Sequence, residues 1–146
     1  MSALVDLKRY PRDMKIFIPI WEKVENLILN ERLISSIEVL REIREGDDEL
    51  VDWANKHKKM FYDIDNGQIA NINKVRRNYD VDYWEREINK DGPWGDPWVI
   101  ALSISTNAII VTNENKVKRN RIPFVAKKFG INSLNLLEFF KSIGIE

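Results

Sequence analysis

The chain has 146 residues and sets 23 lysines and arginines against 23 aspartates and glutamates, so it carries no net charge and no overall field that would draw it to nucleic acid or a membrane. Cysteine is absent, which excludes disulfides, thiolate nucleophiles and cysteine metal sites. The length suits one domain with a real core, no stretch is apolar for long enough to span a bilayer, and the start shows no secretory signal, so the expectation is a single cytoplasmic domain.

Taken in order, Ser2-Ala3-Leu4-Val5 enters an apolar helical segment that contains Asp6, and Lys8 to Asp13 read as a loop. From Pro19 the spacing of Ile20, Trp21, Val24, Leu27 and Ile28 predicts an amphipathic helix. Leu33-Ile34 is a short strand candidate. Ser35 with Glu38 three residues on is a capping-box signature for a helix over 37–45, and Gly46 is its stop. Asp47-Asp48 can cap the next helix, which turns Leu50, Val51, Trp53 and Ala54 inward and ends on Lys56-His57-Lys58-Lys59, acids leading and bases trailing as the helix dipole favours. Residues 60–64 read as a strand. Asp65 caps a helix expected to face Ile69, Ala70, Ile72 and Val75 inward, and a further amphipathic piece around Tyr83, Trp84 and Ile88 leads into turn chemistry at Asp91-Gly92-Pro93-Trp94-Gly95.

Asp96-Pro97-Trp98 then opens an almost wholly apolar run. Pro97 suits the first turn of a helix, which makes Asp96 a candidate N-cap, and Asn107 can end that helix in left-handed geometry. Ala108-Ile109-Ile110-Val111 is apolar on consecutive positions, as a central parallel strand covered on both faces requires. Thr112-Asn113-Glu114 falls at its carboxyl end, where sites collect in open α/β sheets. A basic loop with Lys116, Lys118, Arg119 and Arg121 follows, then a helix over 122–129 closed by Gly130, a short strand over 131–135 and a last helix over 136–140. Helices alternating with short strands predict an α/β fold with a parallel sheet.

Several of these stretches together resemble the PIN-domain-like nucleases, the fold of VapC-type toxins, and most closely a PIN-like subgroup that shares an Asp-Pro-Trp motif. The resemblance rests on Ser35 to Glu42, Gly46 to Leu50, Asp96 to Ala101, Val111 to Glu114, Ile122-Pro123 and Phe129-Gly130-Ile131, and runs over nearly the whole chain. It implies a three-layer α/β/α domain with a small, mainly parallel sheet whose carboxyl edge gathers acids around Mg²⁺ or Mn²⁺ for endoribonuclease cleavage. Carried over residue by residue, it makes Glu42, Asp96 and Glu114 the catalytic and metal-binding residues, although many relatives have an aspartate where Glu114 stands. It further implies an RNA substrate and, for a toxin, a cognate antitoxin.

The chain departs from that pattern at its start. The family opens with a central strand ending in an aspartate; here Ser2 to Val5 resemble the helix that follows, Met1 stands just after the missing acid, and Asp6 is not its equivalent. Two strands would then face each other with unpaired backbone groups, each costing roughly 1–3 kcal/mol if buried. A different start codon, closure of the sheet on itself, or a strand from another copy in a homo-oligomer would each fill the gap. The alternative to an impaired ribonuclease is an inactive PIN-like protein that binds RNA or a partner.

Each candidate also has a plainer reading. Asp96 can simply cap its helix, Glu42 can be a solvated residue on an amphipathic face, and Glu114 an ordinary loop acid. Lys116, Lys118, Arg119 and Arg121 can receive a phosphate backbone or form a solvated loop. Trp94 and Trp98 can stack on bases or pack against a neighbouring helix, and His57 reads as a surface residue at a helix end.

Overall fold

Residues 2–145 are described by a computed structural model. Met1, Glu146 and the side chain of Asp48 lie outside the described residues, and with them the expected place of Met1 after a missing acid and any capping by Asp48.

The elements in chain order are α1 (Ser2–Leu7), a 3₁₀ turn (Lys15–Phe17), α2 (Ile18–Leu29), β1 (Ser35–Ser36), α3 (Ile37–Gly46), α4 (Asp48–Lys56), a second 3₁₀ turn (Lys58–Met60), β2 (Phe61–Tyr62), α5 (Asn66–Arg76), α6 (Val81–Ile88), α7 (Asp96–Thr106), β3 (Ile110–Val111), α8 (Ile122–Lys127), β4 (Ser133–Leu134) and α9 (Leu136–Ser142). The chain is therefore mixed α/β. Its strands form two separate parallel pairs: β1 beside β2, with Ser35 opposite Phe61, and β3 beside β4, with Ile110 opposite Ser133. Among the described residues no helix is long and apolar enough to cross a membrane.

Two hydrophobic clusters form the core. One gathers Val24, Val39, Leu40, Ile43, Leu50, Trp53 and Phe140 from α2, α3, α4 and α9; the other gathers Val75, Tyr79, Ile100, Ala101, Val125 and Ala126 from α5, α7 and α8 with the turn after α5. Val99 packs against both. Helix α7 is apolar all round because it lies between them, and Ile100 and Ala101 are fully buried. Each large apolar side chain so buried contributes about 1.5–3 kcal/mol of transfer free energy.

Local signals placed several helix ends. Asn107 takes left-handed geometry at φ 53°, and Asp65 Oδ1 accepts the Gln68 amide at 2.8 Å. Asp47 Oδ1 accepts the Leu50 amide at 3.0 Å, while its other oxygen meets Lys8 Nζ at 2.7 Å.

Several expectations need correction. The strand expected at Leu33-Ile34 begins at Ser35, because the end of α2 consumes the chain before it: Glu31 turns left-handed at φ 58°, and the Arg32 and Leu33 amides both bond to the Leu27 carbonyl. The cap of α3 is Ser36, not Ser35; its Oγ accepts the Glu38 amide at 3.2 Å, and the Glu38 carboxylate pairs with Arg41. In α5, Ile69 and Ala70 face solvent, and the inward stripe is Gln68, Ile72, Val75 and, beyond the helix, Tyr79. Inside, the Gln68 Nε2 donates to the Asp63 carbonyl at 2.9 Å, while its Oε1 has no partner among the described residues. Finally, β3 is not central: it pairs with β4 on one side and has no strand on the other among the described residues.

Candidate functional site

The Asp-Pro-Trp helix does not start as the sequence suggests. Gly95 is its N-cap, since the Gly95 carbonyl accepts the Val99 amide at 2.9 Å and so makes the first helical bond. Asp96 is thereby the first helical residue, and its side chain makes no capping bond. The capping reading of Asp96 is overturned, and its carboxylate is left to interact elsewhere.

What it meets is acidic. Burial pushes the Asp96 carboxyl up to about 7; the charges of Glu114 and Glu42 add to this, as does a hydrogen bond with Glu114 that exists only when the pair holds a proton. Glu42, on α3, is also raised, first by burial, with Glu38 and Glu114 contributing, and it is held down in part by the bond it accepts from the Gly95 amide. That bond, at 2.9 Å, ties α3 to the residue preceding Asp96. Gly95 has no room for a side chain: a Cβ there would lie 2.2 Å from Glu42 Oε1 and 3.0 Å from Val39 Cγ2. On the far side, Glu114 Oε2 accepts the Ile122 amide at the start of α8 at 2.9 Å. Glu42 and Glu114 are thus each fixed by one oxygen to a backbone amide, which leaves their second oxygens, and the whole of Asp96, for other partners.

The structure therefore brings Glu42, Asp96 and Glu114 into one electrostatic neighbourhood, all half-buried. Glu42 is held against another segment, and Glu114, in the loop after β3, receives the first amide of α8 eight residues ahead of it. Among the described residues no three His, Cys, Asp or Glu side chains stand as a ready-made metal cage. The donor set nonetheless suits a hard cation that takes oxygen ligands and retains several waters, and burying like charges together is a cost that such a cation offsets.

Aromatic side chains close one flank. Tyr79, Tyr83, Trp84 and Trp94 form a cluster in which the Tyr79 and Tyr83 rings stack at 6.0 Å and Trp84 and Trp94 meet edge-on at 5.0 Å. Trp94 accordingly packs within the protein. Tyr79 is 5 % exposed, its hydroxyl has no hydrogen-bond partner among the described residues, and burial followed by the charges of Asp96 and Glu114 raises its pKa. The basic loop is partly engaged. Arg119 pairs with Asp80, which is further held by Asn120, and Lys116 pairs with Glu138. Arg121 lies 3.5 Å from the Tyr83 hydroxyl, and Lys118 is exposed and forms no ion pair among the described residues. His57 is half-buried at the end of α4, 3.8 Å from Glu25 and beside the Trp53 ring, away from the acids.

Sequence reading missed Gly95, Tyr79 and Tyr83. Gly92-Pro93-Trp94-Gly95 carries a turn signal that hides the second duty of Gly95, and nothing in the spacing of the tyrosines points to acids elsewhere in the chain.

The family described as a domain of unknown function, DUF4411, matches over residues 1–146, and the chain belongs to it. No curated protein and no solved structure matches the chain.

Proposed function

We propose that this DUF4411 chain is a PIN-like, divalent-metal-dependent endoribonuclease of the VapC toxin type, with Glu42, Asp96 and Glu114 as its catalytic and metal-binding acids. The observation that carries the reading is the meeting of these acids from three distant segments, with an aspartate at its centre that is uncapped and raised to about 7. Carboxylates are brought together at such a cost chiefly where their charge is used.

Mg²⁺ or Mn²⁺ bound by these acids would supply an activated water and stabilise charge on a phosphate. The chain's own residues prepare the place. The Gly95 and Ile122 amides aim Glu42 and Glu114, and burial beside the other acids raises the Asp96 carboxyl to about 7 when no cation balances the cluster. Arg121 and Lys118 lie in the loop beyond Glu114 and are the basic residues best able to meet an RNA backbone, with Lys116 and Arg119 already paired.

The test is incubation of the full chain with RNA and manganese, wild type against Asp96→Asn. Cleavage lost in the folded variant supports the reading, and cleavage that persists overturns it. The rival reading is a catalytically inactive PIN-like protein that binds RNA or a partner. It expects salt-sensitive RNA binding with no metal-dependent cutting.

A further inference from the structure

Arginine is an unusual residue at the start of α8. Arg121 is the N-cap, a position for side chains that accept from the first amides, and a guanidinium only donates. Glu114 serves instead, taking the Ile122 amide at 2.9 Å. The Arg121 side chain turns to Tyr83, with Nη1 3.5 Å from the phenol oxygen. Arg121 is half-buried and forms no ion pair among the described residues, either with the three acids or with any other carboxylate. Its remaining N–H groups and the Tyr83 O–H have no other hydrogen-bond partner among the described residues.

The neighbouring residues fasten this pair in place. Asp80, the N-cap of α6, pairs with Arg119 and is held by Asn120, whose Nδ2 donates to Asp80 Oδ2 at 3.0 Å and whose Oδ1 accepts the Asp80 amide at 2.8 Å. Asn120 takes left-handed geometry at φ 66°. Arg121 directly follows Asn120, and Tyr83 lies in the first turn of α6, so the clasp sets the two side chains against each other. The Tyr83 ring stacks on Tyr79 at 6.0 Å, and the Arg86 guanidinium lies 5.9 Å from its centroid. Burial raises the Tyr83 hydroxyl above its ordinary value, with Glu87, Asp96 and Glu114 adding to this and Arg121 opposing it. The phenol therefore keeps its proton at neutral pH and stands where the charge of the acids reaches it.

We propose that Arg121 and Tyr83 form a phosphate clamp, which holds a non-bridging oxygen of the RNA phosphodiester cut at Glu42, Asp96 and Glu114. This deepens the ribonuclease reading and rests on it. Donors 3.5 Å apart can both reach one oxygen at about 2.8 Å, and the guanidinium bond is charge-assisted. Hydrolysis forms a bond from a water oxygen to phosphorus and breaks one P–O ester bond, the proton that the water loses being matched by the one that the leaving oxygen gains. Negative charge builds on the non-bridging oxygens on the way, and fixed donors aimed at them act most strongly there.

Tyr83→Phe keeps the ring and its stack and removes only the O–H, while Arg121→Lys keeps the charge and removes the planar fork. The experiment is cleavage of a short single-stranded RNA with manganese by wild type, each variant and the double variant. Each single variant is expected to lower kcat roughly a hundredfold, with KM and the urea midpoint changed far less. The double variant is expected to lose little more than either single one, because both groups serve one oxygen. Sulfur in place of that oxygen, a weaker acceptor, is expected to slow wild type in one phosphorothioate diastereomer and to slow Tyr83→Phe less. Wild-type kcat in Tyr83→Phe overturns the clamp and leaves the role of the acids standing. An undiminished sulfur effect in that variant overturns it as well, whatever the rate, because the hydroxyl then acts elsewhere. If wild type leaves the RNA uncut, the ribonuclease reading falls, and the clamp is judged from the Arg121 Nε–H NMR signal during titration with the same RNA and calcium. A shift that Tyr83→Phe reduces keeps the pair as a phosphate site, and an unmoved signal overturns it.

Discussion

Replacing Asp96 by Asn should make the protein more stable at alkaline pH and leave it almost unchanged in acid. The carboxyl titrates near 3.8 when unperturbed and at about 7 in the fold, so across that window the folded chain binds a proton that the unfolded chain has lost. Folding stability therefore falls as pH rises from the lower value to the upper, and the whole penalty is present above it. About three pKa units at about 1.4 kcal/mol each set an upper limit near 4 kcal/mol, and water reaching the half-buried group brings the expected value to about 2–4 kcal/mol. Asn has nearly the same shape and no charge, so it removes this penalty. Urea unfolding followed by circular dichroism should place Asp96→Asn about 2–4 kcal/mol above wild type at pH 8.5, with the gap closing toward zero near pH 4. Manganese should restore part of the difference to wild type, about 1.4 kcal/mol when it stands tenfold above its dissociation constant, and do far less for the variant. Parallel stability curves for the two proteins across this range would refute the reasoning, since they would show that Asp96 feels neither burial nor its acidic neighbours.

Gly95→Ala should destabilise the chain by about 1–3 kcal/mol, read as a lower urea midpoint, because the added methyl collides with Glu42 Oε1 and Val39. Glu114→Gln keeps an oxygen for the Ile122 amide and removes the like charge beside Asp96. The Asp96 midpoint, followed by carboxyl NMR, should move down toward 3.8; an unmoved midpoint would separate the two side chains. Lys118→Ala and Arg121→Ala should each weaken RNA binding and reduce the magnitude of its salt slope by about one. Lys116→Ala and Arg119→Ala should do less, since those side chains already hold Glu138 and Asp80; the reverse order would place the RNA elsewhere.

Much of the secondary structure could be read directly along the chain. Pro97, Asn107, Asp47 and Asp65 act on backbone groups within a few residues of themselves, so their effects follow from local sterics and hydrogen bonding. Where neighbouring residues compete for one role, the reading slipped by a position: Ser36 won the cap from Ser35, and Gly95 won it from Asp96. The difference was decided by which carbonyl took the first helical bond. The inward face of α5 was misjudged because Gln68 is polar, and its Nε2 finds a backbone carbonyl that no hydrophobic pattern reveals.

Sequence by itself determined the α/β alternation, the apolar helix at 96–106, the short strands and the identity of the three acids worth watching. Only tertiary structure decided that Asp96 is not a cap, that Glu42 is held by an amide 53 residues away, and that the strands form two separate pairs. The physical reason is range. Helix propensity and capping are settled within a turn, whereas a raised carboxyl and an unpaired strand edge depend on segments that meet only after the two cores have packed.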